Sequence, residues 1–398
     1  MPKAKRRLST IRDHATTAAV ALAIVGAGTD SARAQPAAPP VVTVSAERLK
    51  TLPTWNLGSP ILSIGDDGDD ERYSLNRAGL PVLLSDGRIA VPNEQREIRY
   101  YDKAGRYLMT AGRAGRGPAD FQQLWSIYAL PGDSLLTYDA YGPPNRVSIF
   151  GPDGRYVSSY TSRVDATEFA VLPDRSVAAV QRDDVQLRAF MRSGGTGAYV
   201  GSQLVARVYP SGRVDSISYI RNAATVVLDQ DRWTGLRLAA GAYLGAGVGG
   251  IVTAYGGRFE LRWFDSNGTP TRVVRAEIEP TVVTDAVKSR VLRSEAATAA
   301  RRRQVAREGP AVPQHWAATL PVIARVRMDR TGRVWVRRWT FDDESTAEWI
   351  VFSVNGQPIA RVTLPGTFSF HDAGADYLLG RHTDDDGVQS VRMYRLPR

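Results

Sequence analysis

The residues of this chain best suited to bind a ligand are arginines concentrated in one stretch. Within residues 281–308, Arg290, Arg293, Arg301 and Arg303 are the candidate ligand-binding residues. A guanidinium group binds a carboxylate or a phosphate through two parallel hydrogen bonds. We therefore expect these side chains to face an anionic ligand. The alternative is that they cover a solvated helix face beside acidic loops.

Histidine is the next candidate, because imidazole can act as a general base near neutral pH. His371 stands at the end of a predicted inner strand, and His315 lies in the stretch that follows the arginines. Adjacent residues on a strand point to opposite faces, so Asp372 does not orient His371. A packing role is the favoured interpretation of both histidines, and ligand contact is the alternative. Arg381, next to His382, is a further binding candidate.

No established catalytic or metal-binding motif is present. The sequence has no serine-hydrolase elbow, Walker loop or zinc pattern, and it contains no cysteine. Acidic loops at 66–71, 342–344 and 384–387 do not have the spacing of a calcium loop. The glycines of 112–117 lead into a strand, so no helix N-terminus is available there for a nucleotide phosphate. We therefore predict no catalytic residue, no metal and no cofactor.

A recurring turn indicates which elements would position these residues. A polar residue and a glycine between two alternating apolar runs occur at 101–105, 150–154, 209–212, 264–268 and 352–356. Glycine adopts the positive φ that such hairpin turns need. A second polar turn precedes an apolar strand six times, which makes the repeating unit four strands. Repeats of roughly 40–50 residues with four strands each are typical of propeller blades.

We predict an all-β fold, a six-bladed β-propeller of four-stranded antiparallel blades over residues 55–398. The last blade lacks a strand, and an apolar segment at 59–65 would supply it, close the ring and remove an exposed edge. Residues 284–308 are rich in helix formers and contain no glycine or proline. We therefore expect a helical insertion over 281–320, between blades four and five.

The first residues of the chain predict export. Basic residues near the N-terminus precede a short apolar run, and residues 32–34 form an Ala-x-Ala cleavage site. The apolar run is too short to span a bilayer, which takes about 20 residues. We expect a signal peptide over 1–34, cleaved near Ala34, and a linker over 35–54. The mature protein would be periplasmic or extracellular, without a transmembrane span.

The formal net charge of +10 is localised in two segments. Six basic and two acidic residues give the leader +4, and seven basic and three acidic residues give 281–308 another +4. The rest of the chain is close to neutral. Since nucleic-acid-binding surfaces are basic over much of the fold, we expect no nucleic-acid partner.

Longer stretches of the sequence carry a resemblance. The run GRAGRGPADF at 112–121 and the preceding DGRIAV and REIRYYDKAGRYLMTAG stretches resemble bacterial six-bladed propellers related to NHL repeats. That family usually has Gly-Glu where this chain has Ala119-Asp120, so the acid is kept and a glycine is lost. The resemblance covers most of the mature chain and implies the propeller fold. It implies no ligand, because the family is mostly uncharacterised.

These patterns together favour an exported, non-catalytic binding propeller whose ligand lies on the face with the helical insertion. Its partner would be a protein, a peptide, a glycan or an anionic small molecule, and we expect the protein to be a monomer. The alternative is a hydrolase or lyase that acts on a small or carbohydrate substrate at the channel mouth. Three or more converging titratable groups in the channel would favour an enzyme, and an apolar or glycine-lined plug would favour a scaffold.

Overall fold

The structure of the protein is a computed structural model. It describes residues 38–65, 70–142, 144–182, 184–301, 314–340 and 346–397. The predicted signal peptide with its cleavage site, the acidic loop at 342–344 and Arg303 lie outside these ranges, as do residues 66–69. The described chain is mostly β and forms several four-stranded antiparallel sheets, as β-propellers do.

An N-terminal segment adds strands to sheets that later parts of the chain form. Its elements are β1 (Val41–Val44), α1 (Ala46–Lys50), β2 (Thr54–Trp55) and β3 (Leu62–Ile64). The Ser45 hydroxyl caps α1 by accepting a hydrogen bond from the Arg48 backbone N–H at 3.2 Å. The stretch over 35–54, expected to be a linker, contains a strand and a helix. Its Leu49 and Leu52 side chains are buried in the core.

The first two sheets follow one another along the chain. The first contains β4 (Val82–Leu83), β5 (Ile89–Asn93), β6 (Glu97–Tyr101) and β7 (Tyr107–Ala111). The second contains β8 (Leu124–Ala129), β9 (Leu135–Asp139), β10 (Asn145–Phe150) and β11 (Tyr156–Ser162). Each strand pairs antiparallel with the next. Gly105, in the predicted turn between β6 and β7, has a φ of 81°, which glycine adopts without strain.

The third sheet is interrupted by an insertion. The elements in chain order are β12 (Ala166–Val171), β13 (Val177–Gln181), α2 (Asp184–Arg192), β14 (Gly197–Tyr199), β15 (Ser202–Val208), β16 (Val214–Arg221), β17 (Thr225–Val227) and β18 (Trp233–Gly235). Strands β12, β13, β15 and β16 form the third sheet, whereas β14, β17 and β18 form a separate small sheet. Leu187 and Met191 of α2 pack with Val227 of that small sheet.

The last three sheets complete the described chain. The fourth contains β19 (Ala242–Gly247), β20 (Gly250–Tyr255), β21 (Glu260–Phe264) and β22 (Pro270–Ala276), and β1 pairs in parallel with β22. Helix α3 (Asp285–Arg301) precedes the fifth sheet of β23 (Ile323–Met328), β24 (Val334–Arg338), β25 (Thr346–Phe352) and β26 (Pro358–Pro365), to which β2 adds in parallel. The sixth contains β27 (Phe368–Ala373), β28 (Tyr377–Thr383) and β29 (Gln389–Arg395).

The sixth sheet is completed from the other end of the chain. Strand β3 pairs antiparallel with β29, with Ile64 opposite Val391 and Leu62 opposite Met393. The pairing expected between residues 59–65 and the C-terminal strands is therefore present. It covers the edge that β29 would otherwise expose.

Helices are few in the described chain. α3 covers much of the stretch where the sequence predicts a helix, and the Thr284 hydroxyl accepts a hydrogen bond from the Val287 backbone N–H near its start. None of the described helices combines the length and the apolar character needed to cross a bilayer.

Buried apolar side chains fill the spaces between neighbouring sheets. Tyr100 of the first sheet and Leu135 of the second share one cluster, and Trp263 of the fourth and Val336 of the fifth share another. Within the described chain, the first strand of each of these six sheets, or the turn that follows it, lines one central cavity. The packing of the sheets therefore fixes which side chains meet in that cavity.

Candidate functional site

The central cavity is a channel with two parts. In the first strands of the second, third and fifth sheets, the early residues line one part, and the late residues with the turn after them line the other. Four side chains line both parts and separate them: Tyr128, Phe169, Arg327 and His371. We call the part beside the strand starts the basic mouth and the part beside the strand ends the apolar chamber.

The basic mouth has a volume of about 110 Å³ and is lined mainly by the second, third and fifth sheets. Besides the four shared side chains, it is lined by Leu80, Trp125, Ser126, Tyr138, Ala166, Thr167, Glu168 and Arg325. Strand β23 shows why two arginines reach it. Alternate residues of a strand point to opposite faces, so Arg325 and Arg327 face the channel while Val326 is buried between sheets.

Three charged side chains form the centre of the mouth. Glu168 Oε1 lies 3.1 Å from Arg325 Nη1, and Glu168 Oε2 lies 3.7 Å from Arg327 Nη1. Burial raises the pKa of Glu168 and outweighs the two arginines, which lower it. Burial, together with the charge of Arg325, lowers the pKa of Arg327. Two guanidinium groups therefore share one carboxylate. The 3.7 Å between Glu168 Oε2 and Arg327 Nη1 is too long for a hydrogen bond.

A further arginine lies beside the mouth, outside its lining. Arg337 lies close enough to Arg325 that burial and the Arg325 charge both lower the pKa of Arg337. With Glu168 ionised, the charged side chains that line the mouth, Arg325 and Arg327 against Glu168, carry a net charge of +1. The buried Nε of Arg327 has no hydrogen-bond partner among the described residues. An oxygen of an anionic ligand would supply both the missing charge and the missing acceptor.

The floor of the mouth is an aromatic stack. The Tyr128 and His371 rings lie 5.2 Å apart with 5° between their planes, and the Tyr128 hydroxyl donates to the Phe169 carbonyl oxygen at 2.7 Å. Burial, helped by Arg327 and Arg330, lowers the pKa of His371 to about 3. The imidazole is therefore neutral at physiological pH and too weakly basic for efficient general-base catalysis. Its Nε2 has no partner in the described chain and can hydrogen-bond a ligand.

The apolar chamber is the larger part of the channel, with a volume of about 360 Å³. Most of its walls are apolar residues from strand ends and turns, including Val82, Leu130, Val171, Leu172, Leu244 and Met328. Two polar pairs also line it. Arg330 Nε and Nη2 donate to the two carboxylate oxygens of Asp372 at 2.6 and 2.7 Å, and Asp133 accepts two hydrogen bonds from Ser85.

The channel offers donors for an anion rather than ligands for a metal. Within the described ranges, no three histidine, aspartate or glutamate side chains are grouped as metal ligands would be. Glu168 and His371 both line the mouth, but the guanidinium groups of Arg325 and Arg327 lie there too and would repel a cation.

Of the predicted site residues that the structure describes, His371 alone lines the channel. Arg290 lines a separate cavity of about 450 Å³ between α3 and the fifth sheet, together with Arg338. Arg293 is exposed on α3, and Arg301 is the last described residue of that helix.

His315 and Arg381 lie outside the channel lining. The His315 carbonyl oxygen accepts a hydrogen bond from the Arg237 backbone N–H at 2.8 Å, which joins the segment after α3 to the one before β19. The Arg381 guanidinium donates to the Ala78 carbonyl oxygen, and burial lowers the pKa of Arg381. Arg381 therefore connects β28 to the segment that precedes β4.

The sequence patterns do not single out Glu168, Arg325 or Arg327 as site residues, although a signal is present. Strand β23 reads IARVRM, in which two arginines alternate with apolar residues on a predicted first strand. Charged side chains are rarely buried unless they are paired. Arginines on a strand that faces the axis therefore indicate a charged channel.

Comparisons with known proteins concern the fold. No family model matches the sequence, and none of the curated proteins matches it. A putative exported protein from Bacteroides fragilis is 11% identical, with a TM-score of 0.49 over 90% of this chain and 100% of that chain. A member of the DUF4221 family from Bacteroides vulgatus is 12% identical, with a TM-score of 0.49 over 86% of this chain and 98% of that chain.

Enzymes are also among the similar structures. A gluconolactonase from Xanthomonas campestris is 13% identical, with a TM-score of 0.39 over 82% of this chain and 88% of that chain. These neighbours have propeller-type folds. Likenesses of this degree say nothing about what this chain binds or catalyses, and the resemblance to NHL-related propellers in particular stays a prediction.

Proposed function

We propose that this protein is an exported six-bladed β-propeller that binds a small anionic molecule in the basic mouth without transforming it. One observation carries the proposal: two channel-facing arginines, Arg325 and Arg327, share the single carboxylate of Glu168. The blade count is supported by the six described sheets that contribute to one channel and by the pairing of β3 with β29.

The charges of the mouth favour a carboxylate ligand. Arg327 is held 3.7 Å from Glu168, and its Nε is buried without a partner among the described residues. A ligand carboxylate can accept two hydrogen bonds from one guanidinium group. Each charge-assisted hydrogen bond contributes about 1.5–3 kcal/mol. The unmatched donor of Arg327 therefore selects an anion over a neutral molecule.

The aromatic side chains of the mouth favour a ligand with a flat or apolar body. The Tyr138 and Phe169 rings stack with centroids 4.1 Å apart, and Trp125 is 57% exposed at the rim. Aromatic rings offer a large apolar surface for such a body. A sugar acid or an aromatic acid would meet both the arginines and these rings.

The position of the mouth agrees with the face expected to bind. The connections that lead into the first strands lie at this end, including the segment that carries α3 between β22 and β23. We propose that this helical insertion contributes to ligand binding through Arg290, Arg293, Arg301 and Arg303. We further propose that the leader directs the protein to the periplasm or the cell exterior as a monomer.

A hydrolase or lyase is the second candidate, and Glu168 favours it. Its buried carboxyl titrates above the usual range, because burial raises its pKa. A carboxyl group of this kind can exchange a proton nearer to neutral pH. Glu168, Arg327 and Tyr128 converge with His371, the number of titratable groups expected of an enzyme, but the His371 pKa of about 3 leaves the mouth without an effective imidazole base. The neutral imidazole of His371 would then orient the substrate rather than take its proton.

The test begins with a thermal-shift screen of sugar acids, aromatic acids, dicarboxylates, phosphate and the matching neutral sugars. Titration calorimetry then measures the best acid against Arg327→Met. Losing one charge-assisted hydrogen bond of about 1.5–3 kcal/mol should weaken binding about 10- to 100-fold. Arg155→Met is the matched control, because the Arg155 side chain is 89% exposed, and it should bind like the unmodified protein. Equal binding of acids and neutral sugars would contradict the proposal.

The same ligand distinguishes a binder from an enzyme. Nuclear magnetic resonance follows the ligand during prolonged incubation with the unmodified protein and with Glu168→Gln. A binder leaves the ligand intact, and Glu168→Gln should bind the acid at least as tightly because a competing carboxylate is gone. Consumption of the ligand by the unmodified protein but not by Glu168→Gln would replace the proposal with the enzyme alternative.

A further inference from the structure

The apolar chamber has the shape of a ligand site that the basic mouth does not use. Leu130, Leu172 and Leu244 line it but are buried in the cores between sheets, whereas Pro131, Pro173 and Val248, from the turns of three different sheets, line it with exposed apolar side chains. Small residues at 245–247 line another part of the wall, which leaves the chamber open there. Its volume of about 360 Å³ is at the lower end of the range for small-molecule pockets.

The charged residues that line the chamber are three aspartates, at 133, 329 and 372, and two arginines, Arg327 and Arg330, so their formal charge is −1. Arg330 is paired with Asp372 through two hydrogen bonds, and Asp329 accepts one from Arg333 at 2.7 Å. Asp133 remains, and it forms no salt bridge with any residue that the structure describes. A negative charge is therefore left at the polar side of the chamber.

Asp133 is held in place but keeps accepting capacity. Its Oδ1 accepts a hydrogen bond from the Ser85 backbone N–H, and its Oδ2 accepts one from the Ser85 hydroxyl, each at 2.7 Å. A carboxylate has about four acceptor positions, so each oxygen can take another donor. The neighbouring Arg330 guanidinium is already engaged by Asp372 and by the Leu83 carbonyl oxygen.

We propose that the apolar chamber is a second binding site, specific for an amphipathic amine. The apolar body of the amine lies against Pro131, Pro173 and Val248, and its ammonium group donates to Asp133. This site is independent of the proposed function, because the two parts of the channel take ligands of opposite charge. Failure of either proposal leaves the measurement of the other unchanged.

The first experiment is a calorimetric titration of the unmodified protein with n-hexylamine, n-octylamine, 1-octanol and octanoate, each below its micelle concentration. Each buried methylene contributes about 0.8 kcal/mol, so octylamine should bind about 15-fold more tightly than hexylamine. Octanol should bind more weakly than octylamine, and octanoate should bind most weakly because Asp133 repels its carboxylate.

The second experiment compares Asp133→Asn with Asp153→Asn. The amide of Asp133→Asn removes the charge and keeps an oxygen for Ser85, so octylamine should lose about tenfold or more in affinity while octanol is unchanged. Asp153 is an exposed residue of another turn, and Asp153→Asn should bind octylamine as the unmodified protein does. Several results would overturn the proposal: no binding of octylamine, equal affinity for octanoate, no dependence on chain length, or no effect of Asp133→Asn. The chain-length series needs no variant, so it decides the matter even if Asp133→Asn does not fold.

Discussion

Replacing Ile64 by alanine tests whether the pairing of β3 with β29 holds the two ends of the described domain together. Ile64 is 2% exposed and lies in a cluster with Leu379 and Val391 of the sixth sheet and Ile89 and Tyr101 of the first. This one side chain therefore joins the last sheet to the first. The neighbouring Ile61 is 53% exposed and provides a matched control of the same residue type.

The size of the effect follows from burial. Ile64→Ala removes three carbon atoms from a closely packed cluster, which costs about 2.4 kcal/mol in transfer free energy at about 0.8 kcal/mol each. The cavity left behind adds to this cost, and buried Ile→Ala changes cost about 2–5 kcal/mol overall. We therefore expect the free energy of unfolding to fall by about 3 kcal/mol for Ile64→Ala. Ile61→Ala should change it by about 0.5 kcal/mol or less.

The assay is equilibrium unfolding in urea, followed by tryptophan fluorescence, with a thermal melt as a second measurement. At about 2 °C per kcal/mol for a domain of this size, Ile64→Ala should melt about 6 °C lower than the unmodified protein. Equal losses for Ile64→Ala and Ile61→Ala would refute the reasoning, because they would mean that the closing strand contributes no packing. Deletion of residues 59–65 should then also be tolerated.

Two further predictions concern the channel. Asp372→Ala should destabilise the protein by about 2–3 kcal/mol in urea unfolding, because it removes the acceptor of Arg330, whose side chain is 39% exposed, and of the Leu83 backbone N–H. Tyr377→Phe, which removes one hydrogen bond to Asp372, should cost about 1 kcal/mol. Sulfate should bind the basic mouth more tightly at pH 5 than at pH 8 in calorimetry. Burial raises the pKa of Glu168, so lowering the pH neutralises this carboxylate first and frees two arginines for the anion. Glu168→Gln should abolish that pH dependence, and an unchanged pH profile would show that Glu168 does not compete with the ligand.

The sheets could be predicted from sequence because their signals are local. The turn at 102–105 shows this: polar residues and a glycine lie between two alternating apolar runs, and the structure has β6 and β7 on either side. The parallel strand β1 could not be found in this way. Its partner β22 lies more than 200 residues away, and a short run such as Val41–Val44 does not specify which edge it will join.

The candidate site was only partly predictable for a related reason. His371 stands out because histidine is rare in this chain and because this residue lies near the end of a predicted first strand. The arginines of 281–308 stand out because three of them are consecutive, whereas Arg325 and Arg327 alternate with apolar residues and face one channel together only through strand alternation. Glu168, on a different sheet, meets them only after the sheets have packed, so no local pattern contains this site.

The boundary between the two parts of the channel holds one charged side chain, Arg327, beside the neutral imidazole of His371. Its ring lines both parts, and Arg327 lies on the same boundary, with Arg330 in the chamber. An imidazolium between these two arginines would be repelled by both, and burial already disfavours the charged form, which is why the His371 pKa falls to about 3. The stacked Tyr128 adds an uncharged ring to the same boundary. The mouth lining, with a formal charge of +1, and the chamber lining, with −1, therefore share a floor on which Arg327 is the charged side chain and His371 and Tyr128 are neutral.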